Sequence, residues 1–466
     1  MPRRPIITLP ALTLRLQAQG PQTAAELAGA AGVHRSQVSR TLADTGDAVV
    51  QIGEARRARY ALRRRVRSIG DRWPVFRIDE AGRAHEWARL EAFHGGFRVE
   101  WAGAAPGWCS RLDVADVDGW IEGFPFFLGD LRPQGFLGRA IARRVTETLR
   151  LPPDPSNWGD DDTLVFLQSE GDDLPGDLVV GDTPLRRTLA RQVEPAEFVA
   201  EADRAVRYPE LAAQSMQAGV PGSSAGGEQP KFLTHVRVAE DTRAVLVKFS
   251  QPLDTPAGRR WADLLVAEAH ALDVLVNAGE ALAGAQVIDA GGRRFLEVRR
   301  FDRAGAHGRR GVVSLAAVHG AFVGSGGANT WVQAAEQFAV AGLLAPEALM
   351  SVRRRYAFGE LIGNSDMHFG NLAFWLRDEL PLSLAPVYDM LPMLWAPAAG
   401  GEIVPRTFAP FPPTPAQAAD WAVAAEWAEV FWARVAGDAR VSPEFAGIAR
   451  EAGAQVARLV GRFGAS

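Results

Sequence analysis

Lysine is almost missing from this chain. Of its 51 basic residues two are lysines, Lys231 and Lys248, and all others are arginine. Against such a skew, a lysine that remains is a candidate for chemistry that suits a compact ammonium better than a planar guanidinium. Cysteine is scarcer still. Cys109 stands alone, which excludes an internal disulfide and fits the reducing cytoplasm expected for this chain. No apolar run reaches the roughly 18 residues of a membrane span. The opening Met1-Pro2-Arg3-Arg4-Pro5 leads into no signal-peptide core, so no membrane partner is expected. A net charge of -4 gives the whole chain no polyanion-binding signature. What is present is ordinary for a globular protein: 466 residues, 47% hydrophobic and 23% charged. At roughly 100–200 residues per domain, that length accommodates two to four domains.

The charge is not evenly spread. Residues 1–67 hold twelve arginines against Glu26, Asp44, Asp47 and Glu54, a net of +8, which leaves about -12 for the remainder. Within this basic segment, residues 9–17 have a short helical pattern. Thr23-Ala24-Ala25-Glu26 matches a capping box opening a helix that runs to Ala31, with Gly32 as the turn. In residues 33–42, Val38 and Leu42 share one helical face, leaving Arg35, Ser36, Gln37, Ser39 and Arg40 outward. Two helices joined through a glycine turn form a helix-turn-helix pattern. Strands at 49–52 and 58–62, around Arg56 and Arg57, would add a basic wing. Arginine and glutamine on the second helix suit base edges, and Arg56, Arg57 and Arg59 suit phosphates. DNA is therefore the expected partner, the alternatives being a protein-contact surface or a solvated basic face.

Further along, residues 73–78 and 96–101 read as strands and 119–144 as an aromatic, glycine-rich core segment. Residues 201–216 read as a helix broken at Pro209, and 220–227 as a flexible run. A strand at 244–249, a helix at 259–278 and a strand at 295–301 follow. Beyond about residue 311 the pattern is mainly helical, with a compact region at 361–391 and a Pro-rich loop at 404–415.

The chemistry concentrates in that compact region. Gly363-Asn364-Ser365-Asp366-Met367-His368-Phe369-Gly370-Asn371 is followed by Val387-Tyr388-Asp389-Met390. An Asp, an Asn five positions on, and a second Asp behind an apolar segment reproduce the spacing of protein kinase catalytic loops. Asp366 would accept a hydrogen bond from the attacking hydroxyl, while Asn371 and Asp389 would hold Mg2+ against the phosphates of ATP. A strand at 385–388 would aim Asp389 into a cleft. Taken alone, such a pattern also arises from common turn residues. The lysines add weight. Lys248 ends the apolar strand Val245-Leu246-Val247-Lys248-Phe249, as a lysine on α- and β-phosphates would. Its carboxylate partner on the next helix is Glu268 or Asp263, with Glu268 favoured by its apolar neighbours. Lys231 follows Ser223-Ser224-Ala225-Gly226-Gly227-Glu228-Gln229-Pro230, a run whose small residues let backbone N–H groups approach phosphate. It is not a Walker A motif.

Taken in order, SSAGGEQPKF, VLVKF, Phe301-Asp302-Arg303, GNSDMHFGN and VYDM resemble HipA-family toxin kinases. With the basic N-terminal segment, the chain most resembles their YjjJ-like branch. The resemblance implies an α+β chain with an N-terminal winged helix-turn-helix (1–67). A two-lobed kinase-like fold would follow, its N-lobe mixed α/β (68–303) and its C-lobe mainly helical (304–466). It implies an ATP- and Mg2+-dependent serine/threonine protein kinase that phosphorylates itself on a loop serine, Ser224 or else Ser223. It also implies that residues 298–301, with Arg299 and Phe301, form a hinge reading adenine through backbone atoms, and that His368 shapes the loop. An aminoacyl-tRNA synthetase as protein substrate and a separate antitoxin are implied partners, with the chain's own promoter as its DNA. Two positions depart from the family prototype. Arg299 replaces an acidic hinge residue, and Gly370 replaces a lysine near the γ-phosphate. Three other readings stay open: a transcriptional regulator with an inert or sensor kinase fold, a small-molecule phosphotransferase, and an enzyme acting on DNA.

Overall fold

The computed structural model describes residues 8–53, 58–112, 119–194, 197–218, 229–324 and 326–463. Arg56, Arg57, Ser223, Ser224, Gly226 and Gly227 lie outside the described residues. The chain divides into two compact units. One comprises residues 1–79, 83–132 and 157–194, and the other residues 80–82, 133–156 and 195–466. These are cut differently from the segments 1–67, 68–303 and 304–466 drawn from the sequence.

The first unit opens with three helices, α1 (Leu9–Gln19), α2 (Ala24–Ala31) and α3 (Arg35–Ala43). Three strands accompany them, β1 (Gln22–Thr23), β2 (Val49–Ile52) and β3 (Arg59–Leu62), in the order β1-β3-β2. The capping box at α2 is present. The Thr23 hydroxyl accepts the Glu26 N–H at 3.2 Å, and the Glu26 carboxylate accepts the Thr23 N–H at 2.8 Å. Gly32 closes the helix at φ 64, the left-handed conformation that a residue without Cβ adopts freely. Leu12, Leu16, Leu27, Val38 and Leu42 seal the helices together. The rest of the unit is a five-stranded antiparallel sheet. Its spatial order is Trp120–Glu122, Gly96–Trp101, Ala84–Phe93, Arg72–Ile78 and Leu178–Val180. Ile52 and Ala61 from the first three strands share a core with Phe93 and Trp120 of this sheet.

The second unit is built on another five-stranded sheet. Its order is Gln286–Ala290, Arg293–Arg299, Asp241–Phe249, Lys231–Val238 and Val199–Ala200. One face is covered by the helix Arg204–Ala218, whose Tyr208 and Ala212 pack with Phe232, Val245, Phe249 and Phe295. Burying each such ring contributes roughly 1.5–3 kcal/mol. That packing explains why the helix is not broken at Pro209, as the sequence pattern suggested. Proline removes one hydrogen bond, but Tyr208 and Ala212 on either side of it are both buried. The Pro209 ring also lies close to Gly291, where a Cβ would come within 2.7 Å of it. The long helix Pro256–Asn277 and the helices Pro346–Leu361, Ala418–Gly437 and Pro443–Phe463 complete the unit.

Residues 385–388 do not form the strand expected of them. Pro386 has no N–H to donate to a ladder. The segment is extended and tied by single bonds: Ala385 N–H to the Ala373 carbonyl at 2.9 Å, and Val387 N–H to the Glu280 carbonyl at 3.0 Å.

Candidate active site

The two lysines of the chain stand directly opposite each other. Strands Lys231–Val238 and Asp241–Phe249 pair antiparallel in a register that sets Lys231 against Lys248 and Leu233 against Leu246. Opposed residues of an antiparallel pair share a face, and like charges so placed repel. Two carboxylates offset that repulsion. Lys248, 4% exposed, donates to Glu268 Oε1 at 2.5 Å and also pairs with Asp389. Glu268 is 1% exposed on the helix Pro256–Asn277. Asp263, the other partner considered, is engaged elsewhere: its carboxylate accepts the Ser442 N–H at 2.8 Å and the Ser442 hydroxyl at 2.6 Å.

Charge is unequally shared among these groups. Burial disfavours the ionised form of both carboxyls. At Asp389 it is overcome by the cations of Lys248 and Lys231, so this carboxyl is held well below the usual carboxylate range. At Glu268 burial wins over the pull of Lys248, and its carboxyl is pushed up. Burial would lower the Lys248 ammonium, but the two carboxylates outweigh it and hold it above its ordinary value. Asp389 is thus the carboxyl whose ionised form the site favours, with its side chain about a third exposed at 32%. Its backbone is left-handed at φ 53, a conformation uncommon for a residue with a Cβ.

Asp366, His368 and Asn371 lie on the loop after the helix Pro346–Leu361. Three side chains grip alternate carbonyls of this loop. Asn371 Nδ2 donates to Asp366 O at 2.8 Å, Trp331 Nε1 to His368 O at 2.9 Å, and the Tyr388 hydroxyl to Gly370 O at 2.6 Å. Asp366 is left exposed and Asn371 buried. Asn364 was not singled out from the sequence, yet it joins the two carboxylate segments. Its Oδ1 accepts the Asp366 N–H at 3.1 Å, and its Nδ2 donates to Asp389 O at 3.4 Å. The signal was an Asn two residues before the loop Asp, where a side-chain oxygen commonly closes a local turn.

His368 folds back so that Nδ1 accepts the Gly370 N–H at 3.0 Å. A Cβ at Gly370 would come within 2.8 Å of that imidazole. The glycine and the histidine conformation thus go together, and a lysine at 370 would require the ring to move. Arg299 is paired with Val245. Strand alternation puts it on the Tyr208 side of the sheet, away from the lysines. Phe301 lies just past that strand, its ring 5.7 Å from the ring of Tyr388 and 5.8 Å from that of Trp375. On the lysine side, register aligns Leu233, Leu246 and Val298 in a row across three strands. This is a partly exposed apolar strip beside two ammonium groups.

In the first unit, Arg35, Ser36, Gln37, Ser39 and Arg40 are all exposed on α3, while Val38 and Leu42 are buried. Two of the five already have work. Gln37 Oε1 accepts the His34 N–H at 3.1 Å, and Ser36 Oγ lies 2.9 Å from His34 Nδ1. Arg59, half-buried in β3, pairs with Thr23.

The HipA–HipB–operator DNA complex of Shewanella oneidensis MR-1 aligns with a TM-score of 0.51 and 16% identity, over 84% of this chain and 97% of that one. The family model of the HipA-like C-terminal domain matches residues 223–459, and that of the YjjJ-like toxin middle domain matches 69–189. Toxin YjjJ of Escherichia coli (strain K12) is 37% identical over 434 residues, 93% of this chain and 94% of its own. The chain belongs to the YjjJ-like branch of the HipA toxin family.

Proposed function

We propose that the protein is a serine/threonine protein kinase that transfers the γ-phosphate of ATP to a protein hydroxyl, itself included, and that binds DNA through its N-terminal helices. The observation that carries the kinase reading is the facing lysine pair. The only two lysines of the chain sit opposite each other on one face of one sheet, and Lys248 pairs with Asp389. Two ammonium groups side by side suit a polyphosphate, which relieves their mutual repulsion. The strip Leu233, Leu246 and Val298 offers a flat apolar floor for the base. The hinge at 298–301 offers backbone atoms only, since Arg299 turns its side chain away.

The donor set fits a hard cation that keeps most of its other ligands as water and phosphate oxygen. Asp389 and Asn371 contribute one carboxylate and one amide, and Mg2+ is usually held by one or two carboxylates plus substrate phosphates. When bound, Mg2+ would neutralise charge developing on the transferred phosphoryl group. Lys248 and Lys231 hold the phosphates, with Glu268 orienting Lys248. Exposed Asp366 accepts the proton-bearing face of the incoming hydroxyl, and His368 shapes the loop. A small-molecule phosphotransferase needs the same groups. The serines at 223 and 224, seven or eight residues before a phosphate-facing lysine, favour protein phosphorylation with self-modification there. An aminoacyl-tRNA synthetase substrate and a separate antitoxin follow from the resemblance alone.

Incubation of the full chain with Mg2+ and labelled ATP, followed by phosphosite mapping, tests the reading. Label is expected on Ser224 or Ser223, and none in Asp366→Asn. Equal labelling of that variant would refute the assignment of Asp366.

A further inference from the structure

The left-handed backbone of Asp389 is held by groups that never touch its carboxylate. A non-glycine residue keeps such a conformation when its surroundings over-determine it. Here Asn364 Nδ2 donates to the Asp389 carbonyl at 3.4 Å, and behind it stands a largely buried ion pair. Arg355, 4% exposed on the helix Pro346–Leu361, donates from Nε to Glu280 Oε2 at 2.8 Å and from Nη1 to the Ala385 carbonyl at 2.8 Å. The Glu280 backbone carbonyl accepts the Val387 N–H at 3.0 Å, and its carboxylate also accepts the Ser351 hydroxyl at 2.6 Å. Arg355 thus holds residue 385 directly, and the ion pair anchors Glu280, whose backbone carbonyl holds residue 387; these are the alternate positions that lead into Asp389. Pro386 between them has no N–H, so the ladder contact of Ala385 N–H with the Ala373 carbonyl at 2.9 Å is not continued through the segment.

We propose that Glu280 and Arg355 are positioning residues that set how tightly the site takes a divalent cation, by holding Asp389 at its left-handed turn. This rests on reading Asp389 as a metal ligand. Stability alone does not account for the pair, because apolar residues of similar volume would hold the helix at least as well as a buried ion pair. What apolar residues lack is the bond to a backbone carbonyl four residues before Asp389. The planar guanidinium makes both contacts at once from different nitrogens. A lysine keeps the charge but not the fork.

The test measures Mn2+ binding by electron paramagnetic resonance, with a non-hydrolysable ATP analogue present, on the full chain. Nucleotide binding without metal and thermal stability are followed in parallel. Arg355→Lys and Glu280→Gln are expected to weaken Mn2+ binding about tenfold or more, as loss of groups behind a ligand commonly does. Metal-free nucleotide binding should stay near wild type. Ser442→Ala, which removes the hydroxyl's bonds to Asp263 and to the Phe445 N–H elsewhere in the unit, should lose stability without changing Mn2+ affinity. Wild-type Mn2+ affinity in both brace variants would overturn the proposal. Should neither fold, Ser351→Ala removes one hydrogen bond to Glu280 and is expected to weaken Mn2+ binding two- to threefold, and unchanged affinity there overturns it equally. Asp389→Asn separates the two readings. If it too binds Mn2+ as wild type does, Asp389 is not a ligand, whatever the brace does.

Discussion

Lys248 serves two carboxylates, and they answer it differently. Glu268 Oε2 is buried with no hydrogen-bond partner among the described residues, and burial pushes this carboxyl up. Its ionised form therefore costs stability that a neutral isostere does not. The folded-state value lies above the unfolded one, about 4.3, so the cost is absent in acid and grows as pH rises through the raised value. Glu268→Gln should then gain on wild type as the pH of a urea melt is raised from 4. A difference in stability that stays constant with pH would contradict this. Asp389 behaves in the opposite sense. Its carboxyl is held down by Lys248 and Lys231, so its contribution is present above the unfolded value, about 3.9, and is lost as pH falls through the lower folded value. Lys248→Met removes the partner of both carboxylates. It should cost toward the lower end of roughly 3–5 kcal/mol, because Glu268 can take a proton. The lysines were legible because the sequence holds so few of them, and the Glu268 pairing because its neighbours on the helix are apolar. Asn364, Arg355 and Glu280 were not. Their contacts join residues up to 107 positions apart, or go to backbone atoms, and neither kind leaves a periodic trace in the sequence.

Elements were legible where their signals are local. The Thr23 capping box, the Gly32 turn and the helical face of Val38 and Leu42 each lie within a few residues, and α2 and α3 run as those signals direct. Thr23→Ala should therefore cost about 1 kcal/mol in chemical denaturation, as loss of an N-cap does. A change within error would mean that tertiary packing alone holds α2. The two misreadings, at Pro209 and at residues 385–388, arose where tertiary contacts override local rules. Pro209 is tolerated because buried neighbours on both sides hold the helix, and the extended segment is held by a helix and a turn far away in sequence. At α3 the exposed row matched the amphipathic pattern, but the folding of Gln37 onto the His34 backbone could not be read. Gln37 Oε1 and Ser36 Oγ are thus engaged with His34, and Arg35, Ser39 and Arg40 are the other exposed groups of that row.

At the scale of the molecule, the +8 of residues 1–67 is smaller than it looks. Arg64 pairs with Asp161 at 2.5 Å and Arg67 with Asp162, while Arg63 lies 3.3 Å from Glu91. Both aspartates sit at the start of the helix Asp160–Glu170, and all of these pairs lie within the first unit. They join the segment after β3 to the helix Asp160–Glu170 and to the strand Ala84–Phe93, alongside the core shared by Ile52, Ala61, Phe93 and Trp120. Composition could report the excess but not its internal neutralisation, since the acids lie nearly 100 residues further on. The consequence is quantitative. Each protein cation placed on a DNA phosphate adds about 0.9 to the slope of log affinity against log salt, and an arginine already paired adds less. Asp161→Asn with Asp162→Asn removes the carboxylates paired with Arg64 and Arg67. If the N-terminal helices bind DNA, the double variant of the full chain should bind random duplex more tightly at low salt, and its salt slope should steepen by one to two charges. Arg35→Ala with Arg40→Ala should weaken binding and flatten the slope. Unchanged slopes in both variants would remove this face from any contact with DNA, while a change confined to the first would move the contact from α3 to the base of β3.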